Sequence, residues 1–272
     1  MNIPSRIAVA TAAVLLVAIV GALALSRFGG VTITAPGPSP SPIPSLTPSP
    51  TLAPSGSSVS NLNFTGSYAR GTTYTLDDSC CVAPTGMTFT IPAAGWYAPL
   101  EAWRIGKDVP GGSDIFDLYV TPMFVDNVYT GGCHWTGTAL VPPVGPTVDD
   151  LATALAAQAG LGAVAPASVT VGGHPGKKVQ LMIPSGLDVS TCDSDGSNAI
   201  FGRFVSERGF GAQPYTHGVG QVNTFYIVDV DGTRQVIDAM YLPGTSAADR
   251  AEQDQIIASI RFRTSSDPST SP

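Results

Sequence analysis

An uncharged apolar run, Ile7 to Leu25, is followed by a proline-crowded stretch, Thr34 to Ser60, and globular composition begins only beyond it. That order constrains the fold before any other feature. About 19 apolar or small residues rising roughly 1.5 Å each make a helix just under 30 Å long, close to the hydrocarbon thickness of a bilayer. Residues 1–28 are therefore expected to be a transmembrane anchor. The amino terminus and Arg6 precede the run, and only Arg27 follows it before Arg70. This bias favours a cytoplasmic amino terminus and a carboxy-terminal domain outside the cytoplasm. Ala22-Leu23-Ala24 offers a competing signal-peptidase site, but the run exceeds the roughly 7 to 15 residues of a cleaved core, so a retained anchor is expected.

Within residues 29–60, prolines stand at 36, 38, 40, 42, 44, 48, 50 and 54. Each fixes φ and removes an amide donor, which favours polyproline II at about 3.1 Å per residue, so Thr34 to Ser60 reads as a spacer reaching up to roughly 80 Å. Its interleaved Ser and Thr also suit O-glycosylation.

Charge narrows the partners. Only 12% of the residues are charged and the net charge is -7; apart from Arg6 and Arg27, 11 basic residues face all 20 acidic ones beyond position 60. Nucleic acid requires clustered Lys and Arg, and the one adjacent pair here is Lys177-Lys178, so no nucleic acid partner is expected. The acidic excess serves solubility.

Residues 61–264 suffice for one substantial core, with 265–272 a polar tail. Strand signals run from Thr72 to Leu76, Met87 to Ile91, Ile115 to Tyr129, Ser168 to Val171, Lys177 to Ile183, Val222 to Val230 and Thr233 to Tyr241. Asp231-Gly232 between the last two is a two-residue type I′ turn signal. Its register sets Val230 opposite Thr233, Ile227 opposite Val236 and Tyr226 opposite Ile237, and sets Asp229 opposite Arg234 as a cross-strand charge pair. Two amphipathic helices are expected. Thr147-Val-Asp-Asp150 is a capping-box variant opening a segment to Gln158 with Val148, Leu151 and Leu155 at helical spacing. Ser246-Ala-Ala-Asp249 opens the other, with Ala248, Ile256 and Ile260 toward the core.

The segments TFTIPAAGW (Thr88 to Trp96), SVTVGGHPGKKV (Ser168 to Val179) and IIASIRF (Ile256 to Phe262), with a middle helix and a closing hairpin, resemble the Mog1/PsbP-like arrangement. The order Gly-x-Tyr, Pro-x-x-Gly-Trp, Val-x-Val-Gly-Gly-x-Pro-Gly, Asp-Val-Asp-Gly and Ser-Ile-Arg-Phe also resembles uncharacterised membrane-anchored ectodomains of actinobacterial and chloroflexus-type bacteria. The resemblance covers most of Asn61 to Phe262. It implies an α+β fold, an antiparallel sheet flanked by short helices, and an envelope address. It supplies no catalytic residues.

Cys80, Cys81, Cys133 and Cys192 are an even set, and in an oxidising compartment disulfides are the default. The simplest scheme joins Cys133 to Cys192, a closure that the chain-entropy model credits with roughly 4 kcal/mol. Cys80 and Cys81 then form a strained vicinal pair or stay thiols. The alternative joins each of them to a distant partner.

Other motifs yield to plainer readings. Cys133-His134 lacks the spaced knuckle of a zinc site, so no metal is expected. Gly172 to Lys178 lacks the Ser/Thr and the following helix of a phosphate loop and reads as a tight turn. Asp193-Ser-Asp195-Gly196 and Asp229-Val-Asp231-Gly232 put Gly202 and Asp238 where a calcium loop needs Glu, although Asp188, Asp193 and Asp195 remain a looser acidic loop. Trp96, Trp103 and Trp135 read as core. No nucleophile elbow or zincin motif surrounds His134, His174 or His217, so no catalytic residue or cofactor is implied. The segment from Phe204 to Gln221 carries Arg208, Phe210, Tyr215 and His217 among glycines, a mixture suited to binding.

The expected protein is a single-pass, membrane-tethered, extracytoplasmic, non-catalytic binding or sensing domain for an envelope ligand. The alternatives are a structural or assembly accessory contacting another envelope protein and, third, an envelope hydrolase using His217 or His134. Peptide mapping without reduction should yield a Cys133–Cys192 crosslink. A crosslink from Cys80 or Cys81 to Cys133 would exclude the simplest scheme.

Overall fold

Alternation of apolar side chains along two nine-residue strands organises the molecule. A computed structural model describes residues 60–61, 66–76, 86–98, 104–108, 117–194, 202, 204–205, 212–213 and 218–263. The expected anchor, the expected spacer up to residue 59 and the expected tail lie outside the described residues. Among those described, no helix is long and apolar enough to cross a membrane.

In chain order the strands are β1 (Ser60–Asn61), β2 (Gly66–Ser67), β3 (Thr73–Leu76), β4 (Met87–Thr90), β5 (Trp96–Ala98), β6 (Ile105–Lys107), β7 (Leu118–Met123) and β8 (Asn127–Val128). Helix α1 (Val148–Ala156) follows, then β9 (Ala167–Val171), β10 (His174–Met182), β11 (Phe204–Val205) and β12 (Ala212–Gln213). The chain closes with β13 (Val222–Val230), β14 (Thr233–Tyr241), helix α2 (Ala247–Ser259) and β15 (Arg261–Phe262). The fold is α+β. An eight-stranded sheet runs β2-β5-β6-β7-β14-β13-β10-β9, a four-stranded sheet runs β1-β3-β4-β15, and a three-stranded sheet runs β12-β11-β8. Pairing is antiparallel except for β1 with β3.

The β13–β14 hairpin has the expected register, including Tyr226 opposite Ile237 and Asp229 opposite Arg234. Its turn residues Asp231 and Gly232 have φ of 52° and 82°, the left-handed pair that a type I′ turn requires. The expected charge pair does not form. Arg234 gives its guanidinium to the carbonyls of Gly145, Thr147 and Val125, while the Asp229 carboxylate accepts the turn amide of Gly232 at 2.7 Å. Carbonyls converging from the loop before α1 and backbone donors in the turn outcompete a solvated cross-strand pair. Gly172 and Gly173, both at positive φ, make the turn expected between β9 and β10.

Strand parity divides the large sheet into two faces. One carries Trp96, Ile105, Leu118, Val120, Tyr226, Val228, Ile237 and Ala239, covered by α2 and by the four-stranded sheet through Phe89, Met87 and Phe262. The other carries Val179, Leu181, Phe225, Ile227 and Val236, covered by α1 through Leu151 and Leu155. The expected strand from Ile115 to Tyr129 is two strands. Pro122 has no amide to extend a ladder on both sides, and beyond β7 the Asn127 side chain receives the Val144 amide and donates to the Leu140 carbonyl.

Both helix starts follow their caps. Thr147 and Asp150 form a reciprocal capping box at α1. At α2, Ser246 accepts the Asp249 amide at 3.0 Å and donates to its carboxylate at 2.6 Å. Ile256 and Ile260 are buried as expected, but Ala248 is exposed. Its expected place toward the core belongs to Gln253, whose amide donates to the carbonyls of Tyr119 and Met240, at 2.8 Å each. These bonds rotate α2 so that 253, 256, 257 and 260 face inward. A second clamp holds the exposed flank: the Lys107 ammonium lies 2.6 Å from Asp249 and 2.7 Å from Glu252, and Glu252 also accepts the Trp96 indole N–H at 3.0 Å.

The hydrogen bond from Lys107, assisted by that from Ser246, holds the Asp249 carboxyl below its ordinary 3.8. A carboxyl depressed by folding stabilises the fold fully above its unfolded value and loses that contribution as the pH falls through the folded one. Thermal melts from pH 6 down to pH 2 should therefore show a shallower acid-side decline for Asp249→Asn than for the wild type. Parallel declines would mean that the clamp contributes nothing to α2.

Candidate functional site

Arg208, Phe210, Tyr215 and His217, the binding residues expected from sequence, lie outside the described residues, as do Cys80, Cys81, Trp103 and Asp195. Parts of the segment that carries the four are placed. Phe204–Val205 and Ala212–Gln213 pair with each other, and the first also pairs with Asn127–Val128. The segment ends at Gln221, which is fully buried.

The disulfide joins Cys133 and Cys192, as the simplest scheme expects. It ties the loop after β8 to the turn after β10, and the Asp193 amide donates to the Cys133 carbonyl at 2.8 Å beside it. The Asp193 carboxylate accepts the Thr136 amide at 2.7 Å and lies 3.3 Å from Nδ1 of the exposed His134. The Thr136 bonds, with a smaller contribution from His134, hold Asp193 below the carboxylate range. Asp188 caps the short 3₁₀ turn Val189–Thr191 through Ser190. The two described acids of the looser loop thus serve separate local partners. Among the described residues no three His, Cys, Asp or Glu side chains form a group that could hold a metal. His174 contacts the Asp229 carbonyl at 3.1 Å and meets Phe262 edge-on. Trp96 is core, whereas Trp135 is half-buried against Tyr129, 5.2 Å between ring centroids.

Two features were not anticipated. The first is a groove of about 380 Å³ on the α2 face, between the amino-terminal half of α2 and strands β10, β13 and β14. Small side chains make it: Ala239 and Thr224 on the sheet face Ala247 and Ala251, one turn apart on the helix, so helix and sheet cannot close on each other there. Tyr226 and Tyr241 supply aromatic walls, and Gln180 and Thr224 supply polar groups. Lys178, Arg250 and Asp254 stand exposed around it. The Arg250 guanidinium lies 5.3 Å from the centroid of the Tyr241 ring. Burial, and then the charge of Asp254, push the Tyr226 hydroxyl up to about 12, so it remains a hydrogen-bond donor at every physiological pH.

The second is a buried polar cluster on the α1 face. Asp238 (1% exposed) accepts from the Tyr119 hydroxyl at 3.1 Å and from the Asn223 amide at 2.9 and 2.7 Å. Gln221 donates to Asn223 at 2.8 Å. The Arg104 guanidinium lies 5.6 Å from the Tyr119 ring centroid. Thr121, opposite Asp238 on β7, buries a hydroxyl with no hydrogen-bond partner. The cluster interrupts an otherwise apolar layer at the carboxy-terminal end of the segment singled out from sequence. It cross-links β7, β13 and β14, and its burial suits a structural role.

One signal for the groove was present: Lys178 and Gln180 alternate with the core residues Val179 and Leu181, so part of β10 shows polar side chains on the face opposite those core residues. The sequence did not say that α2 stops short of covering it, because that follows from the side chains that Gln253 and the two alanines present. Neither a family model nor a curated protein matches the chain.

Removing the Asp238 carboxylate takes away a buried acceptor shared by the Tyr119 hydroxyl and the Asn223 amide. Asp238→Ala should lower unfolding free energy by about 3 kcal/mol in urea titrations. A loss under about 1 kcal/mol would mean that the cluster is not held together by this carboxylate.

Proposed function

We propose that this chain is a membrane-tethered, extracytoplasmic, non-catalytic domain that binds or senses a small envelope ligand in the groove beside α2. The observation that carries the reading is the groove itself: concave, walled by two tyrosines, furnished with an amide, a hydroxyl and charges of both signs. The Cys133–Cys192 disulfide supports an oxidising compartment. Residues 1–28 anchor the chain and 29–60 hold the domain away from the bilayer. The helix-flanked antiparallel sheet is in keeping with a Mog1/PsbP-like ectodomain.

The segment of Arg208, Phe210, Tyr215 and His217 remains a second candidate binding surface. The length of the spacer favours an alternative role, that of an assembly accessory reaching another envelope protein; crosslinking in native membranes followed by pull-down would then recover one stable protein partner.

Fractionation should place the intact chain in the membrane with the Cys133–Cys192 bridge oxidised. Recovery in the soluble interior with reduced thiols would overturn the address. Thermal-shift screening of the full chain in detergent against envelope glycans, peptides and metabolites should yield stabilising ligands, and a complete absence of shifts would overturn the binding role.

A further inference from the structure

A strand at the end of a sheet carries one row of backbone N–H and C=O groups without a ladder partner, and short or charged edges keep that row from pairing with another chain. The end strands β1, β2, β8, β12 and β15 are two residues long each. β9 differs. It closes the eight-stranded sheet with five residues, Ala-Ser-Val-Thr-Val, none of them charged and none proline. Ala167, Ser168 and Thr170 are exposed.

The β9–β10 turn identifies which backbone groups are free. Gly172 and Gly173 make a two-residue turn, so the flanking Val171 and His174 exchange both of their backbone bonds. Bonding to β10 then alternates and falls on Val171, Val169 and Ala167. The N–H and C=O groups of Ser168 and Thr170 therefore point outward in the plane of the sheet. No other described residue bonds to them through its backbone. On the α1 face a hollow bounded by Val148, Asp149, Pro175 and Lys177 leaves Ser168 and Thr170 uncovered.

Two copies of this edge fit each other. Antiparallel pairing about a two-fold axis at Val169 sets Ser168 opposite the partner's Thr170 and Thr170 opposite the partner's Ser168. That register uses the outward groups of both residues in both chains. It brings hydroxyl side chains together in cross-strand pairs, and Val169 meets its own copy in the position without backbone bonds, the Cα atoms about 4.5 Å apart. Copies of a chain of net charge -7 repel one another, and along β9 no like charges meet. The axis stands perpendicular to the sheet, so both copies keep their α2 faces on the same side. Ser60, where the spacer ends, belongs to β1 of the four-stranded sheet that covers this face. Both spacers then start from one side of the pair, as two chains rooted in one membrane require. An unrelated extended peptide would share the backbone bonds without this reciprocity.

We propose that β9 is a homodimerisation edge: two copies of the domain join β9 to β9 in antiparallel, making one continuous sheet across the pair. The pairing is independent of the groove beside α2 and of its ligand. The common side of the spacers rests on the reading of residues 1–60 as anchor and spacer.

Val169→Cys in the full chain tests the pairing in native membranes, with the wild type alongside to give the background from Cys80 and Cys81. Oxidation should convert most of the variant to a disulfide-linked species of twice the chain mass, since the separation across the axis is one that a disulfide spans. Thr170→Pro added to Val169→Cys should abolish that species, and so should Ser168→Pro. Each removes one outward N–H and leaves the bonds to β10, the place where an edge strand accepts proline, so thermal melts in detergent should match those of Val169→Cys alone. No crosslink above the wild-type background would overturn the dimer. So would a crosslink that survives both proline substitutions. A crosslink to a species of another mass would overturn the second copy as occupant and mark the edge as a docking strand for a different protein.

Discussion

The register of the β13–β14 hairpin is the constraint on which the rest depends. The pair lies in the middle of the eight-stranded sheet, with β7 outside one strand and β10 outside the other. Side chains alternate with a period of two, so the turn at Asp231-Gly232 decides at once which residues of both strands meet α2 and which meet α1. A slip of one residue would carry Phe225 and Ile227 to the α2 face and present Thr224 and Tyr226 to α1. It would also put Asp238 among Ile237's neighbours, away from Asn223 and Tyr119. The left-handed conformations at the turn make that slip costly, because only Gly and a few short polar residues adopt them without strain.

Once the faces are fixed, each treats its polar groups differently. On the α1 face they are interior and mostly bonded to one another, Gln221 donating to Asn223, and Asn223 and Tyr119 both donating to Asp238. On the α2 face the helix is pinned at one flank by Lys107, Glu252 and Trp96, and centrally by Gln253 against the backbone. It therefore lies toward β4 and β7 and leaves β10 uncovered. Close packing would demand large side chains where Ala239, Ala247 and Ala251 stand. Polar residues on this face consequently meet solvent in a concavity.

Legibility followed the range of the interactions. The hairpin, its register, both helix caps and the Cys133–Cys192 bridge were readable because turn chemistry, capping and an even cysteine count act over a few residues or leave few combinations. The short strands β5, β6 and β15 carry only two or three residues each, too few for a period to show, and they exist because neighbouring strands offer them partners. The Arg234 and Ala248 expectations failed for a common reason. Each assumed that a side chain serves its nearest local partner, whereas Arg234 is claimed by carbonyls about ninety residues away in sequence and the helix face is rotated by Gln253 bonds to two strands. The groove was hidden because it is a relation between a helix and a sheet. The residues first singled out for binding, Arg208 to His217, were chosen for composition, a signal that names surface chemistry without giving it a place.

Net charge and local charge carry separate information. The acidic balance of the domain argues against polyanions as partners, since these need an extended basic surface. It has no bearing on a single small anion, which needs two or three donors at one point and a shape that excludes larger competitors.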